Sequence, residues 1–205
     1  MRLALGIALV LLALLSHPQP AKTTPIWGTE LDALVGQEGV TITYNDSDPE
    51  RQSRGFSLPG DVWIFEIKEP TRTYSISEDR SGKGAVICLY WIYTGIRDVI
   101  DACSDIDSEL AEALDDANAR IENFVLENSL LPVTDAQIMQ GRAALKRRHF
   151  QSVGATETKR VQCLGTESGR SFAQMLTHYG SEAELKAEVD KLLSIPRHPV
   201  NGPCL

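Results

Sequence analysis

Beyond residue 15 the sequence holds no apolar run long enough to cross a membrane. A permanent transmembrane helix needs about 20 mostly apolar residues, and the one long apolar stretch, residues 3–15, is shorter than that. Cys-x-x-Cys spacing is absent, which removes the usual pattern of zinc sites and dithiol redox centres. No serine sits in G-x-S-x-G either. Gly165-Thr166-Glu167-Ser168-Gly169 places its serine one position late for a nucleophile elbow. Ser81-Gly82-Lys83-Gly84 lacks the spacing of a phosphate loop and reads as a turn. Basic residues are in the minority, 20 Lys and Arg against 28 Asp and Glu, for a formal charge of -8. A chain of that sign has no electrostatic footprint for phosphate backbones, so nucleic acid is not an expected partner.

What is present begins at the N-terminus. Met1-Arg2 is basic, residues 3–15 are apolar, and Ser16-His17-Pro18-Gln19-Pro20-Ala21 closes the run with small and polar residues. That order is a secretory signal peptide. Cleavage after Ala21 leaves residues 22–205 as a single exported domain, secreted or periplasmic, with no permanent membrane span. Cys88, Cys103, Cys163 and Cys204 are then an even set in an oxidising compartment, which predicts two disulfides. Joining neighbours along the chain favours Cys88 with Cys103 and Cys163 with Cys204, although four cysteines allow three pairings.

The pattern predicts an α+β fold, with an N-terminal antiparallel sheet of about four strands followed by about four helices that include an antiparallel helical hairpin. Residues 27–35 suggest a short helix ended by Gly36. Residues 40–44, 61–68, 71–76 and 85–93 read as strands, the last so apolar that it suggests a central position covered on both faces. Residues 49–60 read as a polar loop. The sheet part is thus expected over about 39–93, the helical part over about 96–194, and a tail over 195–205. Ile106, Leu110, Leu114, Ala117, Ile121, Phe124 and Val125 recur with helical period and predict a helix over 105–129. Thr134 and Gln137 form a capping-box pair that starts a second helix, running to about 149. Facing positions of this hairpin set Arg142, Lys146 and His149 opposite Asp115, Asp116 and Glu122. Two more helices are expected over 168–179 and 181–194.

No catalytic, cofactor-binding or metal-ligating residue can be assigned. Asp105-x-Asp107-x-Glu109 has Leu110 where a calcium loop needs glycine, and acids gather naturally at a helix N-terminus. His149, His178 and His198 show no ligand spacing. The aromatics are more informative. Strands bearing them on both faces must either bury both or expose one to a partner, and Trp63, Phe65 and Trp91 are the candidate binding face for a protein, peptide or glycan. The expected function is a noncatalytic binding protein of the cell envelope or extracellular space. The alternative is an extracytoplasmic hydrolase whose site is assembled only in the fold.

Overall fold

The computed structural model describes residues 27–48, 50–102, 108–151 and 182–203. The expected signal peptide, the helix over 168–179, and Cys103, Cys163 and Cys204 lie outside the described residues. The chain divides into two units, Met1–Asp32 and Ala33–Leu205. In the first, the Asp32 carboxylate accepts backbone N–H bonds from Trp27, Gly28 and Thr29. A 3-10 helix covers Glu30–Leu34.

The second unit has the α+β layout the sequence predicts, and among the described residues an antiparallel sheet is followed by four helices. Strands β1 (Thr41–Asn45), β2 (Gln52–Leu58), β3 (Val62–Glu69) and β4 (Arg72–Asp79) lie in sequence order, each antiparallel to the next. Short hairpins make that meander the simplest path. Between β2 and β3 the turn uses Gly60 and Asp61, both in the left-handed region at φ +80° and +60°. Gly60 is fixed by space as well, because a Cβ there would stand 2.5 Å from that of Arg197.

Alternation sends Arg54, Phe56 and Leu58 of β2, with Val62, Ile64 and Glu66 of β3, to one face. All six are buried. Registers pair Phe56 with Ile64 and Arg54 with Glu66. The Arg54 Nε donates to Glu66 Oε2 at 2.6 Å, and the guanidinium lies 5.0 Å from the Phe56 ring centroid. An ion pair so enclosed is costly to break, since either partner alone would be an uncompensated buried charge.

The helices are α1 (Val86–Ala102), α2 (Ser108–Asn128), α3 (Asp135–Gln151) and α4 (Glu182–Leu192). Val86, Tyr90, Tyr93, Ile96 and Ile100 of α1 recur at helical spacing and pack with Leu114, Ala117, Ile121, Phe124 and Val125 of α2 and Leu185, Val189 and Leu192 of α4. The expected strand over 85–93 is therefore the first half of a helix. Its Val, Ile and aromatic content favours strands locally, but burial of the five-residue stripe through Ile100 outweighs local propensity. The fourth strand is instead β2, in the stretch read as a polar loop. The sheet ends at Asp79 and the helices begin at Val86, correcting the expected boundaries near 93 and 96.

The α2–α3 hairpin starts its second helix as the capping box predicts. The Thr134 N–H donates to Gln137 Oε1 at 2.8 Å, and the Gln137 N–H donates to Thr134 Oγ1 at 3.3 Å. Of the expected facing charges, Arg142 meets Glu122 at 3.7 Å. Lys146 instead reaches Asp98 and Asp101 of α1, at 3.6 and 4.0 Å, while Asp115 is taken by Arg97. Helix α3 leans on α1 because Gly141 admits the Trp91 ring, whose Cη2 would lie 3.3 Å from a Cβ at that position. The His149 side chain lies outside the described residues.

Residues 195–203 tie sheet to helices. Arg197 makes four hydrogen bonds: Nε donates to Asp79 Oδ2, Nη1 to the carbonyls of Leu192 and Ile195, and Nη2 to the Gly84 carbonyl. The Ile87 N–H, one of the orphan donors at the start of α1, is met by the Val200 carbonyl at 3.0 Å. His198 Nδ1 accepts from the Leu130 N–H at 3.1 Å, so its proton sits on Nε2. Cys88 is 2 % exposed on α1 and is no free thiol.

Candidate binding surface on the sheet

The face of the sheet opposite the buried one carries Trp63, Phe65 and Ile67 along β3 and Tyr74, Ile76 and Glu78 along β4. Registers set Trp63 beside Glu78, Phe65 beside Ile76 and Ile67 beside Tyr74. On the other flank they meet Ser57, Gly55 and Ser53 of β2, and beyond these Thr41, Thr43 and Asn45 of β1. The face is thus apolar over β3 and β4 and polar over β1 and β2.

None of its side chains beyond the glycine is buried, and Ile76 is 54 % exposed. The aromatic positions are nevertheless fixed. Trp63 and Phe65 stack with centroids 5.9 Å apart and planes 15° from parallel. The Arg80 guanidinium lies 5.0 Å from the Trp63 centroid, and the indole Nε1–H donates to Asp61 Oδ1 at 3.3 Å. Asp61 holds a left-handed backbone, and its carbonyl accepts from the Arg80 N–H at 2.9 Å, so one turn residue positions both members of the cation–π pair. Phe65 lies over Gly55, where a Cβ would stand 3.3 Å from the ring. Glycine here is the room that lets the ring lie on the sheet.

Charges on this face are paired among themselves. Arg80 Nη2 binds Glu78 Oε2 at 2.6 Å and Arg72 Nε binds Glu69 Oε2 at 2.8 Å. Hydrogen bonding to these guanidinium groups holds both carboxyls below their usual range. Each acid is ionised and committed, so the face offers contact area and oriented charge.

Trp91, the third expected member, is elsewhere. It sits on α1, tilted against Tyr90 at 5.5 Å. It helps line an apolar slot of about 210 Å³ between α1, α2 and α3, with Ile87, Val125, Val133 and Ile138. Tyr90 closes one side of that slot, donating to Glu122 Oε1 at 2.7 Å; burial, then this bond, push its phenol up. The expected trio is therefore split, with Trp63 and Phe65 together on the sheet and Trp91 between helices.

The helices carry a polar seam of their own. Tyr90, Thr94 and Asp98 follow at four-residue intervals on α1; Thr94 Oγ1 lies 3.5 Å from Asn118 Oδ1, and Lys146 approaches Asp98. Among the described residues, Asp98 Oδ2 and Asn118 Nδ2 are buried without a partner. Among the described residues no group of three or more His, Cys, Asp or Glu could hold a metal ion. Asp105, Asp107 and His178 lie outside the described residues. His198 is enclosed, and burial pushes its imidazole down to about 4.

Ile67, Tyr74, Ile76 and Arg80 are members of the surface that the sequence reading did not name. Strict alternation from Trp63 through Ile67, and from Tyr74 to Ile76, is the signal that finds them once one member is known to face outward. No protein-family model matches the chain, and no curated protein or solved structure matches it either.

Proposed function

We propose that this is an exported, noncatalytic binding protein whose partner is a protein docking an apolar surface on the Trp63, Phe65 and Ile76 face. The observation that carries the reading is the exposure of Ile76 beside a Trp63–Phe65 stack already immobilised by Arg80, Asp61 and Gly55. A preordered surface binds with less entropy loss, because its side chains need not be frozen on contact. A sugar ring wants an open aromatic face. Here the Trp63 face is engaged by Arg80 and stacked on Phe65, so ring edges and Ile76 are what a partner meets. Covering the exposed half of Ile76 contributes about 1 kcal/mol, and the paired arginines at the rim supply orientation.

Export rests on the signal-like order of residues 1–21 and on the even cysteine set. Among the described residues, no helix is long and apolar enough to cross a membrane. The ion pairs of Asp98 with Lys146, and of Arg97 with Asp101 and Asp115, run between or along helices and are given a structural role, so the hydrolase reading gains nothing from them.

A photo-reactive amino acid placed at Ile76 in the producing cell tests the face, with Met139, 71 % exposed on α3, as the control position. A discrete adduct from position 76 that Phe65→Ala weakens, and that position 139 does not form, is the expected result. Equal crosslinking from both positions, or none from position 76, rejects the surface.

A further inference from the structure

We infer that β1 is a self-pairing edge: two copies of this chain join antiparallel along Thr41–Asn45, with Thr43 opposite Thr43 of the second copy, and form one continuous sheet. An edge strand presents unpaired N–H and C=O groups, and proteins block such edges with charge, proline, bulges or a covering segment. The two edges of this sheet differ in that respect.

At the β4 edge the blocks are present. Arg72, Glu78 and Asp79 put charge on the strand. The tail crosses its end, where the Gly202 carbonyl accepts from the Asp79 N–H at 2.8 Å and Arg197 Nε donates to Asp79 Oδ2 at 2.6 Å. Gly202 approaches the Ser77 carbonyl so closely that a Cβ would not fit. Strand β1 has none of these devices. Thr41, Ile42, Thr43, Tyr44 and Asn45 include no charge and no proline, and the register with β2 runs from Thr41 with Ser57 to Asn45 with Ser53 without a bulge. All but Ile42 are exposed, and among the described residues β2 alone pairs with β1.

The strand's own sequence selects a second copy as the occupant. Centring the pairing on Thr43 matches all five residues and keeps the inner side chains of both copies on one face. Ile42 then faces Tyr44 twice on the inner face, while Thr43 faces Thr43 and Thr41 faces Asn45 on the outer, polar one. Aromatic with β-branched and threonine with threonine are favourable pairs across antiparallel strands. Ile42 and Tyr44 stand beside Phe56 and Arg54, which are buried, yet Tyr44 is itself 36 % exposed. The inner face therefore runs out uncovered at β1, and the second copy continues it. Asp46, the first charge after the strand, falls opposite Val40 and outside the paired residues.

Five residues per copy is small against the roughly 20–30 a side of a standard interface, so the dimer is reversible. Its two-fold axis stands perpendicular to the sheet, which turns the Trp63, Phe65 and Ile76 faces of both copies the same way. Their β3 strands lie about 24 Å apart across the joined sheet. A partner bearing two apolar sites at that separation is held by both at once. This last consequence rests on the proposed binding face; the pairing does not.

Sedimentation velocity on a dilution series of the purified chain tests the pairing, with hydrogen exchange of the β1 amides followed at the same concentrations. The parent should pass from monomer to dimer as concentration rises, and the outward amides of β1 should gain protection in step. Thr43→Lys and Thr43→Glu each set like charges opposite one another at an exposed position and should weaken association at least about threefold, with unchanged far-ultraviolet circular dichroism. An equimolar mixture of the two sets lysine opposite glutamate and should restore it. A parent that stays monomeric throughout overturns the inference, even where a variant fails to fold. So do variants that associate like the parent, a mixture that stays monomeric, or β1 amides equally protected at every dilution, which would identify a segment of the same chain as the occupant. Ile76→Asp should leave self-association unchanged, so failure of the edge and failure of the binding face are read separately.

Discussion

Strand β3 has two faces built from similar apolar residues and used in opposite ways. Val62, Ile64 and Glu66 point to one side and are buried; Trp63, Phe65 and Ile67 point to the other and remain partly exposed. On the buried side the cost of enclosing Glu66 is met by a dedicated partner, Arg54, directly across in β2. On the open side the Glu78–Arg80 and Glu69–Arg72 pairs stay in water, where such pairs contribute little to stability. The difference teaches which face holds the molecule together: the inner one carries the fold, while the outer one is ordered without being enclosed.

The sharpest way to break that comparison is Glu66→Ala. It leaves the fully buried Arg54 without its counter-charge, and a loss of about 3–5 kcal/mol is expected from denaturant midpoints. Arg54→Met combined with Glu66→Leu should recover most of it, because the desolvation cost vanishes together with the attraction. A single Glu66→Ala variant as stable as the parent would mean that this face is not the core of the sheet.

The next effect is one of pH. Burial holds the His198 imidazole neutral, with its folded value at about 4 against 6.5 unfolded. Below pH about 6.5 the unfolded chain takes up a proton that the folded one refuses. The stabilisation is therefore fully present above 6.5 and falls away as pH drops toward 4, by roughly 3 kcal/mol over that window. His198→Asn sets an amide oxygen near the Nδ1 position that accepts from Leu130 and removes the titration. Its stability curve between pH 6.5 and 4 should be flatter than the parent's by about that amount; parallel curves would show that His198 titrates freely.

How far these two faces were legible in the sequence depends on particular residues. The α+β order, the helix through Leu114 to Val125 and the Thr134–Gln137 cap follow from period and capping chemistry, both local properties. Strand β2 was hidden because its inward set includes Arg54, a residue that reads as surface until its partner twelve positions on is known. Helix α1 was hidden for the opposite reason. Its run of Val, Ile, Leu, Tyr and Trp from Val86 to Tyr93 satisfies a strand and a buried helix equally, and only the continuation through Ile96 and Ile100 separates them. Trp63 and Phe65 were recognisable as candidates, but with apolar residues on both sides of β3 the sequence does not say which side faces out. Trp91 joins them only where the stretch from Ala85 to Tyr93 is read as a strand, and it lies on α1.

A smaller effect is expected at Phe65. Its ring covers Gly55 and stacks on Trp63, contacts worth about 1 kcal/mol in an antiparallel sheet. Phe65→Ala should lower stability by that amount, well below the Glu66→Ala cost, while leaving the far-ultraviolet circular dichroism of the sheet unchanged. A loss equal to that of Glu66→Ala would mean that the two faces are buried alike, and the surface reading would fall with it.

The smallest effect on stability is the most informative about function. Ile76 is more than half exposed and sits on β4 with Phe65 as its cross-strand neighbour, so Ile76→Asp removes little that folding has buried. Its midpoint should lie within about 0.5 kcal/mol of the parent. If the face meets an apolar partner surface, the same change sets an unpaired carboxylate in a desolvated contact, and affinity measured by titration with the crosslinked partner should fall at least about tenfold. A variant that is both stable and fully competent to bind would move the partner off the sheet. One that is stable and fails to bind separates the two faces of β3 by experiment, with folding assigned to one and recognition to the other.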